Sequence, residues 1–135
     1  MEKGTILFHE KFKFKNGELG EKLLIVLNTP DLKKGEPYIL CRTTSQENNK
    51  PRTFGCHEKL SLFVLPAKQD FFEKDTWIQL HEVFPFEPTT LLQDHYNKQL
   101  SVLGKLKDLT IRQLMNCILK IRDISVGYKK MILRK

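Results

Sequence analysis

Short apolar runs, each closed by turn-forming residues, fill the part of the chain before Pro88. β-branched and aromatic side chains dominate these runs, and glycine, proline, asparagine and aspartate separate them, which is typical of strands. The pattern predicts strands within residues 4–15, 22–28, 38–41, 60–65 and 75–83. Within the last of these, Trp77 is out of phase with Ile78 and Leu80, so it is expected on the opposite face of the sheet.

The first predicted strand ends in an alternation of phenylalanine and lysine. Phe12 and Phe14 fall on one face, and Lys11, Lys13 and Lys15 fall on the other. Such a lysine face is typical of a protected edge strand, although it also suits contact with phosphate. The Asn-Gly pair within residues 16–20 predicts the hairpin turn that follows.

The hydrophobic period changes after Pro88. Thr89 to Tyr96 fits a short helix, and Leu109 to Arg122 places apolar residues at helical spacing, which predicts an amphipathic helix lying over the sheet. The region from Phe84 to Pro88 is expected to break regular structure, and the basic tail from Gly127 is expected to be loose or to form a last strand. The fold class is therefore mainly β with a C-terminal helix, built as a small β-barrel or a strongly bent sheet.

Polar chemistry is concentrated where the Tyr38–Cys41 strand ends. Arg42, Thr43, Thr44, Ser45 and Gln46 follow at once, which predicts a cation and three hydroxyls at the rim of the sheet. Residues 47–59 then form a polar stretch without apolar periodicity. We interpret it as a long surface loop, the kind of segment in which binding residues often lie.

The composition narrows the partners and the compartment. A chain of 135 residues predicts one domain over 1–135, and its net charge of +7 favours an anionic partner such as nucleic acid or an acidic protein segment. Cys41, Cys56 and Cys117 are odd in number, far apart and without a CxxC motif, which argues against a disulfide framework and a structural zinc site. Cys41 and Cys117 are expected to be core residues. With no signal peptide and no apolar run long enough to span a membrane, the chain is expected in the cytoplasm, or in the nucleus if the host has one.

The order of these features resembles the MazF/PemK family of endoribonuclease toxins. The similar features are the Gly4-initiated strand, the glycine-containing loop at 16–20, the Thr44-Ser45-Gln46 strand end, Lys74 to Leu80, and the Gly104-Lys105-Leu106 lead into the last helix. Lys22-Leu23 stands where the family usually has Arg-Pro, and His81 falls near a frequent acidic position. Lysine keeps the charge of arginine but loses its planar fork.

The resemblance implies a small SH3-like β-barrel of the MazF/PemK/CcdB type, with a helix covering one side. It also implies a toxin of a toxin–antitoxin pair that cleaves single-stranded RNA without a metal or cofactor, acts as a homodimer and is neutralised by an acidic antitoxin. The alternative is a barrel of the same kind that binds nucleic acid or a protein without catalysis. The changes at Lys22 and His81 keep that alternative open.

Metal-independent RNA cleavage needs hydroxyl donors and cations around the phosphate and a group that transfers protons. The predicted catalytic residues are Lys22, Thr44, Ser45 and His57. The predicted RNA-binding residues are Arg42, Arg52, Phe54 and His81, with His81 as a second candidate for proton transfer and no metal ligands. Phe54, Phe71 and Phe72 lie in predicted loops, where aromatic rings can stack on bases. The Thr44-Ser45 pair also suits a plain turn, and isolated histidines are commonly bystanders.

Overall fold

One antiparallel sheet forms the centre of the computed structural model, which describes residues 1–13, 17 and 19–134, with Glu21 described through its backbone alone. Within these residues the strands are β1 (Thr5–Lys13), β2 (Leu19–Val26), β3 (Tyr38–Thr44), β4 (Gly55–His57), β5 (Leu62–Leu65), β6 (Thr76–Phe86) and β7 (Leu100–Lys105). Their spatial order is β4-β5-β6-β3-β2-β1-β7. The prediction of a small β-rich domain with a C-terminal helix is confirmed.

The sheet is open, so the expectation of a closed barrel is wrong. Closure requires hydrogen bonds between the two end strands, and β4 and β7 are not neighbours in the order of the described strands. β4 is instead bonded to a helix through the Cys56–Cys117 disulfide. β7 is joined to the same helix by the short connection at Leu106 and Lys107. Both edge strands are thus linked to α2 rather than to each other.

Three helices cover the sheet. They are α1 (Pro88–Tyr96), α2 (Asp108–Lys120) and α3 (Val126–Leu133). α2 buries Leu114, Cys117 and Ile118 against the sheet, which confirms the predicted amphipathic helix. The tail forms α3 rather than a strand or a loose end, because Ser125 accepts a hydrogen bond from the Tyr128 backbone and Ile132 is fully buried. None of the helices in the described part of the chain is long and apolar enough to span a membrane.

The two faces of the sheet carry different cores. The larger core packs α2 and α3 against side chains that include Ile25, Ile78 and Leu80. α1 covers the other face at Leu91, beside Leu24 and Phe12. Trp77 packs apart from the larger core, with Leu62 and Val64, which confirms that it faces away from Ile78.

Several predicted boundaries need correction. In β1, Phe12 is buried and Lys11 and Lys13 are exposed as predicted, whereas Phe14, Lys15 and Asn16 lie outside the described residues. β6 continues through Pro85 to Phe86. Proline has no backbone N–H, and it is tolerated there because its cross-strand partner, Ile39, does not need one. The Ile39 N–H donates to the Asn28 side chain, and the Ile39 carbonyl accepts from the Leu27 N–H. The sequence pattern did not predict β4, which lies within the predicted loop. It also did not predict β7, whose last residues were interpreted as a connection to α2.

The argument against a disulfide is also wrong. Cys56 and Cys117 are 61 residues apart in the sequence, yet they form a disulfide between β4 and α2. Separation along the chain does not limit separation in space once the helix packs back on the sheet. Cys41 is the free cysteine of the described chain and is buried, as expected. Burial raises the pKa of its thiol to about 12.

Candidate nucleic-acid interface

A cavity of about 710 Å³, here called the rim cavity, opens where β2 and β3 face the loop between β5 and β6. Its size is in the range of pockets that hold small ligands. It is lined by Phe8, Lys22, Leu23, Thr43, Thr44, Ser45, Gln46, Phe71, Phe72, Glu73, Lys74 and Thr76. The structure therefore brings together three of the four predicted catalytic residues, Lys22, Thr44 and Ser45.

Lys22 supplies a half-buried cation to the rim cavity. Its Nζ donates a hydrogen bond of 3.0 Å to the Thr43 carbonyl, which ties the β2 side chain to β3. Burial lowers the pKa of Lys22, and the charges of Arg42 and Lys50 lower it further. An anion bound beside Lys22 would offset this repulsion, so the site favours a negatively charged ligand.

Two hydroxyls stand beside this charge at the end of β3. The Thr44 Oγ1 accepts a hydrogen bond of 3.1 Å from the Gln46 backbone N–H, which shapes the turn after the strand. A hydroxyl that accepts still has its own hydrogen to donate, so Thr44 remains available to an anion. Ser45 is exposed on the same rim. Thr43 differs, because its hydroxyl already donates to the Leu23 carbonyl at 3.0 Å.

An aromatic pair forms the opposite wall. Phe71 and Phe72 meet edge to face with their ring centroids 5.4 Å apart. Phe72 is anchored in the larger core, whereas Phe71 is 39% exposed. The preceding Asp70 fixes this loop by accepting hydrogen bonds from the backbone N–H groups of Phe71 and Lys107. A held and partly exposed ring of this kind suits stacking on a base.

Phe8, Glu73 and Lys74 also line the rim cavity and were not predicted as site residues. Glu73 is the one carboxylate among the described residues that line the rim cavity. Carboxylates can act as general bases when they lie within reach of the reacting hydroxyl. The available signal was the position of Glu73-Lys74 directly after the aromatic pair and before a strand, although this spacing alone assigns no role.

Arg42 does not line the rim cavity. Its side chain is 16% exposed, lies 5.4 Å from the centre of the Phe84 ring, and has an amine nitrogen 3.6 Å from the Glu82 carboxylate. Its Nε is buried without a hydrogen-bond partner among the described residues. Arg42 thus contributes charge beside Lys22 while its guanidinium packs on an aromatic ring.

The remaining predicted residues lie elsewhere. Arg52 forms an exposed ion pair with Glu47, and His57 on β4 has its Nε2 2.6 Å from the Thr53 carbonyl. Phe54 lines a second groove at the edge of the sheet. His81 is exposed on β6. The rim cavity therefore has no imidazole among its described lining residues, and proton transfer there depends on other groups.

No group of three or more histidine, cysteine, aspartate or glutamate side chains that could hold a metal ion occurs in the described ranges. Comparison of the chain with family models gives no match, and comparison with curated proteins gives no significant match. The functional argument therefore depends on the geometry of the rim cavity and on the resemblance in the order of sequence features.

Proposed function

We propose that the chain is the toxin of a toxin–antitoxin pair and cleaves single-stranded RNA at the rim cavity without a metal. The observation that carries this proposal is the meeting of Lys22, Thr44 and Ser45 in one cavity, opposite the exposed ring of Phe71. Thr44 and Ser45 belong to the features that resemble MazF/PemK toxins, and Lys22 stands where that family usually has arginine. The wall opposite them adds the stacking surface that single-stranded RNA requires.

The reaction would use the 2′-hydroxyl of the RNA as its nucleophile. Glu73 takes the proton of this hydroxyl, its oxygen bonds to the adjacent phosphorus, and the bond to the 5′-oxygen breaks. Thr44 and Ser45 donate hydrogen bonds to the phosphate oxygens as negative charge develops on them. Lys22 neutralises this charge, and its lowered pKa makes it a better proton donor to the leaving oxygen than an ordinary lysine.

A direct test is to incubate the purified protein with a mixed single-stranded RNA in the presence of EDTA. We expect discrete fragments that end in a 2′,3′-cyclic phosphate and begin with a 5′-hydroxyl, since this chemistry needs no metal. Fragments that appear only after magnesium is added would contradict the mechanism. A preparation of the Thr44→Ala variant, purified identically, controls for contaminating ribonuclease.

A non-catalytic binding module is the second candidate function. The observation that favours it is the position of His57 and His81 outside the rim cavity, which leaves that site without an imidazole among the described residues. Intact RNA together with retained binding in the same assay would support this function. The binding proposal and the cleavage proposal share one surface, so the assay separates them directly.

The two exposed phenylalanines provide a matched test of the surface. Phe71 and Phe54 are 39% and 53% exposed, but only Phe71 lines the rim cavity. Phe71→Ala is expected to weaken binding of single-stranded RNA about tenfold, since base stacking on an aromatic ring contributes about 1–3 kcal/mol. Phe54→Ala should leave the affinity within about twofold, because loss of an exposed ring elsewhere removes no stacking. Fluorescence anisotropy with a labelled RNA measures both, and equal effects would place the RNA elsewhere.

The partners belong to the same proposal. The net charge of +7 supports an acidic antitoxin segment and RNA as ligands. The homodimer and the cytoplasmic location are proposed from the resemblance and the sequence pattern. Sedimentation of the purified chain, with and without an acidic polypeptide encoded beside it, tests the assembly.

A further inference from the structure

The disulfide lies on β4, a short strand at the edge of the sheet. β4 has three residues, stands at the edge of the sheet, and pairs with β5 at Gly55, Cys56 and His57. The Cys56–Cys117 bond adds a covalent link from this edge to α2. Cys56 is exposed, whereas Cys117 is 1% exposed. A reagent in solution therefore reaches the disulfide from the Cys56 side.

We propose that Cys56 is a thiol–disulfide exchange site for a dithiol reductant, and that its bond to Cys117 is a reversible tether for residues 45–57. A groove of about 400 Å³, here called the Cys56 groove, is lined by this exposed residue. Its described lining contains phenylalanine, valine, leucine, proline and amide side chains and no charged one. An uncharged groove lets the apolar surface around the dithiol of a reductase dock without burying a charged side chain of this protein.

The dithiol reductant alone supplies the electrons and protons that the exchange needs. One thiolate of the dithiol attacks the Cys56 sulfur, a mixed disulfide forms, and the bond to Cys117 breaks. The Cys117 sulfur leaves as a thiolate and takes up a proton. The second thiol of the reductant then attacks its own sulfur in the mixed disulfide and releases Cys56, which is also protonated. Two electrons and two protons pass to the protein, and the dithiol becomes a disulfide.

The tether is connected to the rim cavity through residues 45–57. Ser45 and Gln46 line the cavity at one end of this segment, and Cys56 is near its other end. Between them, the Lys50 ammonium donates to the Gln46 carbonyl at 3.2 Å and the Trp77 indole donates to the Pro51 carbonyl at 2.8 Å. Reduction leaves the segment with these bonds and the short β4 pairing. The consequence for RNA cleavage rests on the proposed function; the tether itself does not.

The first experiment follows the thiols. The native protein is treated with dithiothreitol, alkylated with iodoacetamide, and digested for mass spectrometry. We expect no alkylation before reduction and rapid labelling of Cys56 afterwards. Cys41 should stay unlabelled in both states, because its buried thiol has a raised pKa. Labelling of Cys56 in protein that was purified under oxidising conditions and never reduced overturns the proposal, since it means that the bond does not form.

The second experiment follows the segment by hydrogen exchange. Reduction, or the Cys56→Ser variant, is expected to raise amide exchange in residues 45–57 about tenfold or more and to leave β1 and β2 unchanged. Cys41→Ala is the control, because it removes a cysteine but no disulfide. Unchanged exchange in residues 45–57 overturns the tether. Increased exchange with no RNA cleavage in either redox state overturns the proposed function and leaves the tether standing.

Discussion

Lys22→Ala is expected to lower RNA cleavage by about 10²–10³-fold, the size of effect found when one electrostatic stabiliser of a transition state is removed. The same change should alter the free energy of unfolding by about 1 kcal/mol or less. Lys22 is half-buried near other cations, so holding its positive charge costs the folded state free energy. The alanine variant removes this cost together with the charge. Single-turnover cleavage and urea unfolding measure the two effects. A large loss of stability would mean that Lys22 is structural.

The matched variant is Lys22→Arg, compared across pH. Because the pKa of Lys22 is lowered, the side chain loses its charge at a lower pH than an ordinary lysine does. Cleavage that depends on this charge should fall as the pH rises through the pKa of Lys22. Arginine stays charged throughout but is a poor proton donor, so Lys22→Arg should cleave more slowly than the wild type at neutral pH and should not show this alkaline fall. The unfolded chain binds this proton more tightly than the folded one. The wild type should therefore gain stability relative to Lys22→Ala as pH rises through the same range.

Gly4→Ala is expected to reduce the free energy of unfolding by about 2–4 kcal/mol, which combines backbone strain with overpacking. Gly4 has a φ of +93°, and a Cβ there would lie 2.4 Å from the Cδ1 of Ile111 on α2. The backbone has little room to relax, because Gly4 N–H donates to Val26 at 2.7 Å and its carbonyl accepts from Leu106 at 2.9 Å. Fluorescence of the buried Trp77 during urea unfolding measures the change.

Two other glycines separate the causes of this loss. Gly55 has a φ of +102° with open space around its Cβ position, so Gly55→Ala should show the backbone cost alone, about 1–2 kcal/mol. Gly127 lies in α3 with open space and no positive φ, and Gly127→Ala should stabilise the protein by about 0.5–1 kcal/mol. If Gly4→Ala costs no more than Gly55→Ala, the contact with Ile111 contributes nothing.

Part of the rim cavity was predictable from residue types. The Thr44-Ser45 pair is predicted by the polar residues that follow an apolar strand, whereas Lys22 is indicated by the resemblance and lies within β2 rather than at its start. Glu73 and Phe8 were not predictable in this way. Glu73 reaches the cavity because the loop that carries it is held on α2 by Asp70 and Lys107. That contact spans 37 residues and leaves no periodic trace in the sequence.

Predicted residues in the segment after β3 had a different outcome. Arg52, Phe54 and His57 have suitable chemistry, but the direction of the segment decides what they can contact. The segment crosses Trp77 and ends in β4, at the far edge of the sheet. It therefore carries Phe54 to the Cys56 groove instead of the rim cavity. The residue types had suggested a single site, but the fold divides these residues between two separate sites.

The sequence by itself determined the presence of β1, β2, β3, β5 and β6, the amphipathic α2 and the polar end of β3, because alternation, helical spacing and turn residues are local properties. Only the tertiary structure decided that the sheet stays open, that Cys56 bonds to Cys117, and that Glu73 and Phe71 face Lys22. These outcomes depend on contacts between α2 and segments that are distant from it in the chain. Such packing brings together residues that are far apart in the chain, and no local pattern records it.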